Sequence, residues 1–389
     1  KLIKRQKKEQ GVFMIKQYRL RDYNFRLVIF LIGLTFTGVL LVGSAEPALR
    51  NKQFFGMMLG VAIMLIVSLM DFSWILNFYW ILYGCNIILL LSVWIFGTES
   101  NGASRWLRIG GFQFQPTELS KILIVMFFAR FFMEHEENLN TLRTLVQTAI
   151  LAAIPLMLIF SQPDLKNTIT VVILICIMLY LAGLSYKIIG GAILIIVPLV
   201  VVFLFIVVQP NQKLIKDYQR DRIMTFLHSE EEEYSDDVIQ QNNSVMAIGS
   251  GQLTGKGLNN NEVASANKGN FVSESQTDFI FSVAGEELGF IGSATILIVL
   301  FLIICECIRT GWKAKDLSGK LICCGVASII AVQGFINICV ATGIAPNTGT
   351  PLPFVSYGLS SMVSLYTGMG LVLNVGLQKN RDYREVGKL

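Results

Sequence analysis

Charge is scarce in this chain: 15% of its residues are Asp, Glu, Lys or Arg, against 53% that are hydrophobic. A soluble domain of 389 residues would need far more charge to cover its surface, so a single water-facing globule is excluded. Histidine is scarcer still. Only His135 and His228 occur, both in polar connections, which leaves no histidine-rich zinc site. The seven cysteines lie in or at the edge of apolar stretches, so no disulfide framework is expected. Cys305 and Cys307, two residues apart, would sit on different faces of a helix rather than form a metal pair. A P-loop is absent, because GSGQLTGKG at 249–257 lacks the strand–loop–helix setting and the closing Ser or Thr after its GK. No internal repeat is evident, which weighs against a transporter built from inverted halves. The basic start, Lys1 to Lys8, has no small-residue cleavage site and does not read as a cleaved signal peptide; Met14 is a candidate native start.

What the chain does have is a series of apolar runs near the length that crosses a bilayer. They predict an all-α polytopic membrane protein of about ten transmembrane helices, at 26–44, 54–70, 76–97, 117–133, 145–160, 168–185, 188–208, 278–308, 320–343 and 354–376. The expected organisation is a basic cytoplasmic segment 1–25, spans one to seven in 26–208, a large extracellular loop 209–277, spans eight to ten in 278–376, and a cytoplasmic tail 377–389. An even number of spans puts both termini on one side. With the N-terminus inside, the inner segments hold 20 Lys and Arg and the short outer loops five: Arg50, Lys52, Arg105, Arg108 and Lys166. That bias sets the expected orientation. The inner links are short and basic, with no room for a nucleotide-binding domain, so chemistry is expected outside and without ATP. The acidic run Glu230–Glu233, followed by Asp236 and Asp237, reads as a solvated loop, with a cation or partner site as the alternative.

Three outer constellations could carry chemistry. At the start of the eighth span, SESQTDFIFSVAGEELGF (273–290), Thr277 is placed to cap the helix, with Asp278 in its first turn. Favourable interaction with the helix dipole explains Asp278 as readily as function does. Glu286 and Glu287 should lie deeper by about 12 Å at 1.5 Å per residue, costly inside a bilayer unless paired or facing a wet cavity beneath Asp278. At the fourth span, Pro116 suits the first helical position, and Glu118 and Lys121, three apart, can pair. Either they form an ion pair that lets both enter the bilayer, or Lys121 attracts an anionic group. Upstream, Arg105 and Arg108 suit phosphate, and Trp106 suits either a substrate or the membrane interface. Before the last span, residues 346–358 hold three prolines and two glycines, including the run to Ser356, Tyr357 and Gly358. They cannot form a regular lipid-exposed helix and read as a rigid, shaped turn.

Taken in order, NGASRWLRIGGFQFQPTELSK (101–121), SQPDL (161–165), AIGSGQLTGKGL (247–258), TDFIFSVAGEELGF (277–290) and LPFVSYG (352–358) resemble the SEDS family (shape, elongation, division and sporulation) of RodA/FtsW type. The resemblance covers nearly the whole chain after about residue 20, and the start YRLRDYNFRLVIF (18–30) leans to the RodA-like elongation branch. It implies a ten-span glycosyltransferase that polymerises the membrane-bound precursor lipid II, working with a class B penicillin-binding protein, with no nucleic-acid partner. Asp278 is then the expected catalytic base, with Arg105, Trp106, Glu118, Lys121 and Ser356 expected at the substrate. No cofactor is certain; a divalent cation near the leaving group is possible, without a clear ligand set. Departures are Gln276 where the family usually has His, Ser273 for Pro, Lys166 for Gly, and Leu359 for a second Gly. A lipid II flippase and a non-catalytic scaffold for a penicillin-binding protein are the alternatives. On the anion-binding reading, Lys121→Met should weaken turnover and leave the fold intact.

Overall fold

The computed structural model describes residues 22–100, 103–109, 112–209, 236–259 and 274–378. The basic start, the acidic run Glu230–Glu233, His228, much of the expected 209–277 loop and the tail after Gln378 lie outside the described residues.

A chain segment in hydrocarbon must satisfy its own backbone N–H and C=O groups, which the α-helix does residue by residue. The apolar runs obey: α1 is Phe25–Ala45, α2 Arg50–Leu69, α3 the short Phe72–Leu76, α4 Tyr79–Phe96, α5 Pro116–Glu134, α6 Leu142–Ser161, α7 Leu165–Leu181 and α8 Tyr186–Val208. They are followed by α9 Asp236–Ser250, α10 Ile280–Trp312, α11 Leu317–Ala341 and α12 Leu359–Leu377. Each expected span has its helix. Seven of the described helical segments are long and apolar enough to cross a membrane. α5 is marked off by its Glu118, Lys121, Arg130 and Glu134, and α7 by its 17 residues. Polar caps start many of them: Asn24, Asp71, Thr141, Asp164 and Asp316 each accept a first-turn backbone N–H.

One addition was not expected. Residues expected as a polar loop form a small antiparallel sheet of β1 (Thr98–Ser100), β2 (Ala103–Ile109) and β3 (Phe112–Phe114), in the order β1-β2-β3. Thr98 pairs with Trp106, and Leu107 with Phe114. The sheet packs on α4, α5 and α12.

The sheet, the 162–164 link, α9 and the proline-rich turn before α12 share one end of the bundle, here the loop-rich end. The opposite end is fastened by side chains. Lys315 donates to Ser73 and Gln378, and Gln378 donates to Asp71 and Asn374. Between the ends, α2 and α12 pack closely through small residues: Gly60 abuts the Tyr366 ring, and Gly370 abuts Met64 and Val67. Close backbone approach is how helices associate where lipid and side chain are equally apolar. Leu359, the departure noted above, lies over Gly56.

α10 is broken at Gly289, whose φ of 66° and ψ of −164° leave helical space. The cause is a loop wedged into its ladder. Lys256 N and Gly257 N donate to the Glu286 and Glu287 carbonyls (both 3.0 Å), while Phe290 N and Ile291 N donate to Gln252 and Leu253 (2.8 and 3.1 Å). A methyl group on Gly289 would collide with Gly255 N and stand 2.7 Å from Thr254 C, in backbone space open essentially to glycine alone. Gly289→Ala is therefore expected to cost more than about 3 kcal/mol, seen as a lowered unfolding midpoint in detergent. Gly84→Ala, whose methyl group meets nothing within 4 Å, serves as the control and should not lower it. Equal midpoints for the two variants would contradict the wedge.

Candidate active site

Asp278 does not cap a helix. α10 begins at Ile280, its N-cap is Phe279 with no side-chain bond, and its first turn holds no acidic residue. Thr277, expected as the cap, turns its hydroxyl back to the Glu274 carbonyl at 3.1 Å. Asp278 is therefore not in the first turn of the helix as expected, and the half-buried carboxylate sits in a turn at the loop-rich end.

That turn is held through its main chain. Tyr357 N donates to Gln276 O (2.9 Å), Ser356 Oγ to Thr277 O (2.6 Å), and Asn337 Nδ2 to Asp278 O (2.7 Å). Asn337 Nδ2 also reaches Thr350 O (2.7 Å), and Ser356 Oγ accepts from Leu352 N (2.7 Å). Gln53 Nε2 of α2 donates to Ser356 O at 3.0 Å. The proline-rich turn and the Asp278 turn are thus one unit, braced by α2 and α11. Ser356, expected at the substrate, is buried and spent on this bracing.

Gly349, at φ 71°, brings the turn against the carboxylate. A methyl group there would lie 3.1 Å from Asp278 Oδ2 and 3.6 Å from Lys166 Nζ, and Lys166 Nζ donates to Gly349 O. Lys166 lies in the first turn of α7. The carboxylate and the ammonium therefore flank one small residue, no further apart than the sum of those two distances.

Beneath them is a buried network between α5 and α7. Lys121 is 1% exposed and donates to Glu118 Oε1 (2.8 Å) and to Asn167 Oδ1 (3.1 Å). Asp164, fully buried, accepts from Gln115 Nε2 (3.0 Å), Thr117 Oγ1 (3.4 Å) and Asn167 Nδ2 (2.8 Å). Of the two readings of Glu118 and Lys121, the structure shows the ion pair, with the ammonium enclosed by its two partners. Arg105 and Trp106 are half-buried on β2. The sheet that carries them is pinned to the same end through Ser360, which accepts from Gln115 N (3.0 Å) and donates to Gln113 O (3.1 Å).

Glu286 and Glu287 are buried, at 1% and 3% exposure, and both are partnered, as burial of a carboxylate requires. Glu286 pairs with Lys256 at 2.9 Å, and Glu287 accepts from Ser44, next to the last residue of α1. The segment from Asp278 to Glu287 is tied to loop-rich helix ends at both its own ends, so it crosses that face rather than descending. Among the described residues no cluster of three or more His, Cys, Asp or Glu could hold a metal ion. All seven cysteines are free.

Sequence reasoning missed Asp164, Asn167, Gln115, Asn337 and Gly349. The SQPDL stretch signalled the first of these; Asn337 stands as a lone amide in an apolar run.

Comparison with known proteins bears on this geometry. A family described as "Cell cycle protein", FtsW/RodA/SpoVE, matches residues 23–381. The chain is similar to a probable peptidoglycan glycosyltransferase FtsW of Geobacter metallireducens, 32% identical over 380 residues, covering 93% of this chain and 97% of that one. It is equally similar to the peptidoglycan glycosyltransferase MrdB of Escherichia coli K12, 32% identical over 354 residues, covering 90% and 92%. Among solved structures it resembles a chain of a peptidoglycan synthase complex described as coordinating polymerization and crosslinking, with a TM-score of 0.77, 26% identity, and 92% and 99% coverage. The rod shape determining protein RodA of Thermus thermophilus matches with a TM-score of 0.67, 26% identity, and 92% and 98% coverage.

Proposed function

This chain belongs to the FtsW/RodA/SpoVE family of cell cycle proteins, and on that premise we propose that it is a multi-pass membrane glycosyltransferase that polymerises lipid II into glycan strands. The loop-rich end faces outward and both termini face the cytoplasm, a reading supported by the 20-to-5 bias of Lys and Arg. The observation that carries the proposal is the clamped turn of Asp278: a half-buried carboxylate fixed by main-chain bonds on three successive residues, at the end where an outward-facing sugar substrate arrives.

In the reaction, the 4-hydroxyl oxygen of the acceptor sugar attacks the anomeric carbon of the donor chain. Asp278 takes the hydroxyl proton as the new C–O bond forms. The bond to the pyrophosphate breaks, the electron pair leaves with undecaprenyl pyrophosphate, and the anomeric centre inverts. Pre-positioning matters because a base must already lie within hydrogen-bond reach of the proton it removes. Arg105 on β2 meets the charge of the leaving group, and Trp106 contacts sugar or lipid. Glu118 and Lys121 act by holding α5 to α7, and Ser356 by holding the Asp278 turn.

The partner is a class B penicillin-binding protein, a reading supported by the likeness to a peptidoglycan synthase complex. The N-terminal stretch 18–30 leans towards the elongation branch, and relatives of both the FtsW and MrdB names match at 32% identity. Against a flippase stand the outward clustering of the candidate groups and the fastened opposite end. The full chain, purified with its partner and given lipid II, should yield glycan polymer. Translocation of lipid II across liposomes with no polymer formed would overturn the proposal in favour of the transporter.

A further inference from the structure

The sequence points to Lys121 as the cation for the pyrophosphate, and the structure closes that residue in. Arg105 lies on β2, and a further cation, Lys166, stands beside the Asp278 turn. Lys166 is half-buried at the loop-rich end, with Nζ bonded to the carbonyl of Gly349, where an added methyl group would lie 3.1 Å from Asp278 Oδ2. An ammonium has three N–H donors. The contact recorded for Nζ is with a neutral acceptor, Gly349 O, and no described carboxylate lies within ion-pair distance. Glu118, the partner of the other lysine, is already engaged at 2.8 Å. The charge of Lys166 is thus uncompensated by any described ion pair, while two of its donors remain to be directed at a ligand. A half-buried cation in that state favours a doubly anionic group at short range.

We propose that Lys166 is a substrate-binding residue of this enzyme, contacting the pyrophosphate of the lipid substrate beside the catalytic carboxylate. The inference rests on the glycosyltransferase reading and goes beyond it. Position 166 departs from the glycine usual in the SEDS resemblance. Gly349 makes the arrangement workable. Its missing side chain leaves room for both charged groups, and its carbonyl steers the ammonium without neutralising it.

A strap for the proline-rich turn is the competing role, and the two roles separate by substitution. Lys166→Arg keeps the charge, Lys166→Gln keeps a donor without charge, and Lys166→Gly removes both. Steady-state polymerisation of lipid II by the full chain with its partner gives kcat and KM, and inorganic pyrophosphate serves as the competitor. The expected result is a KM for lipid II and an inhibition constant for pyrophosphate each raised about tenfold in the Gln and Gly variants, with kcat changed less and Arg near wild type. If Gln matches wild type while Gly alone loses activity together with thermal stability, Lys166 is only a strap and the inference is overturned. Wild-type values throughout would overturn it equally. Absence of polymer from the wild-type protein would instead sink the glycosyltransferase reading itself, and the two failures are therefore distinct.

Discussion

Asp278→Asn is expected to lower lipid II polymerisation by about 100- to 10,000-fold, the usual contribution of a positioned base, with the unfolding midpoint unchanged. The fold should tolerate it because the bonds that fasten this turn end on the main-chain oxygens of Gln276, Thr277 and Asp278, which asparagine keeps. Asp278→Ala should be as inactive, since both remove the proton acceptor. Asp278→Glu moves the carboxylate outward by about one methylene and should recover part of the rate, as a misplaced base still accepts protons. Polymer length on gels, read beside thermal unfolding in detergent, separates chemistry from folding. Full activity in both the Asn and Ala variants would remove Asp278 from the mechanism and return the scaffold reading to favour.

Lys121→Met should act quite differently. Removing one partner of a buried ion pair strands the other, and the cost is about 3–5 kcal/mol. Here the stranded group is Glu118, 3% exposed, and Asn167 loses a donor as well. The unfolding midpoint should therefore fall steeply, in contrast to the intact fold expected on the anion-binding reading. The double variant Lys121→Met with Glu118→Gln should recover much of the lost stability, because a neutral amide costs less to bury than an unpaired carboxylate. Activity should follow the midpoint in both variants. An unchanged midpoint in the single variant, with KM for lipid II raised, would restore Lys121 to direct substrate contact.

The helices were legible because each carries its own signal. An apolar run must satisfy its backbone internally, and Asn24, Asp71, Thr141, Asp164 and Asp316 mark where five of them start. The sheet was not legible, since its strands are three to seven residues long and too short for any period to stand out. The site was half legible. Asp278 stood out as a carboxylate at a span boundary, but its neighbours are set by contacts between distant segments. Lys166 meets it only through Gly349, and Asn337 only through a main-chain oxygen. The fate of Lys121 turned on Asn167 and Glu118 together, and a sequence can propose such a pair without deciding which way it faces.

The break at Gly289 has a consequence for how the protein meets its bilayer. A continuous helix of 33 residues would be about 50 Å long, well beyond a hydrocarbon layer of about 30 Å. Counted from Phe290, the remaining stretch is about 34 Å, a near match that needs only a slight tilt. The break thus removes a hydrophobic mismatch, because the preceding stub, Ile280–Glu287, is buried within the protein rather than added to the length that lipid must cover. The direction in which the Asp278 turn leaves the span that follows it is set by the wedge of residues 252–257 rather than by the length of any span.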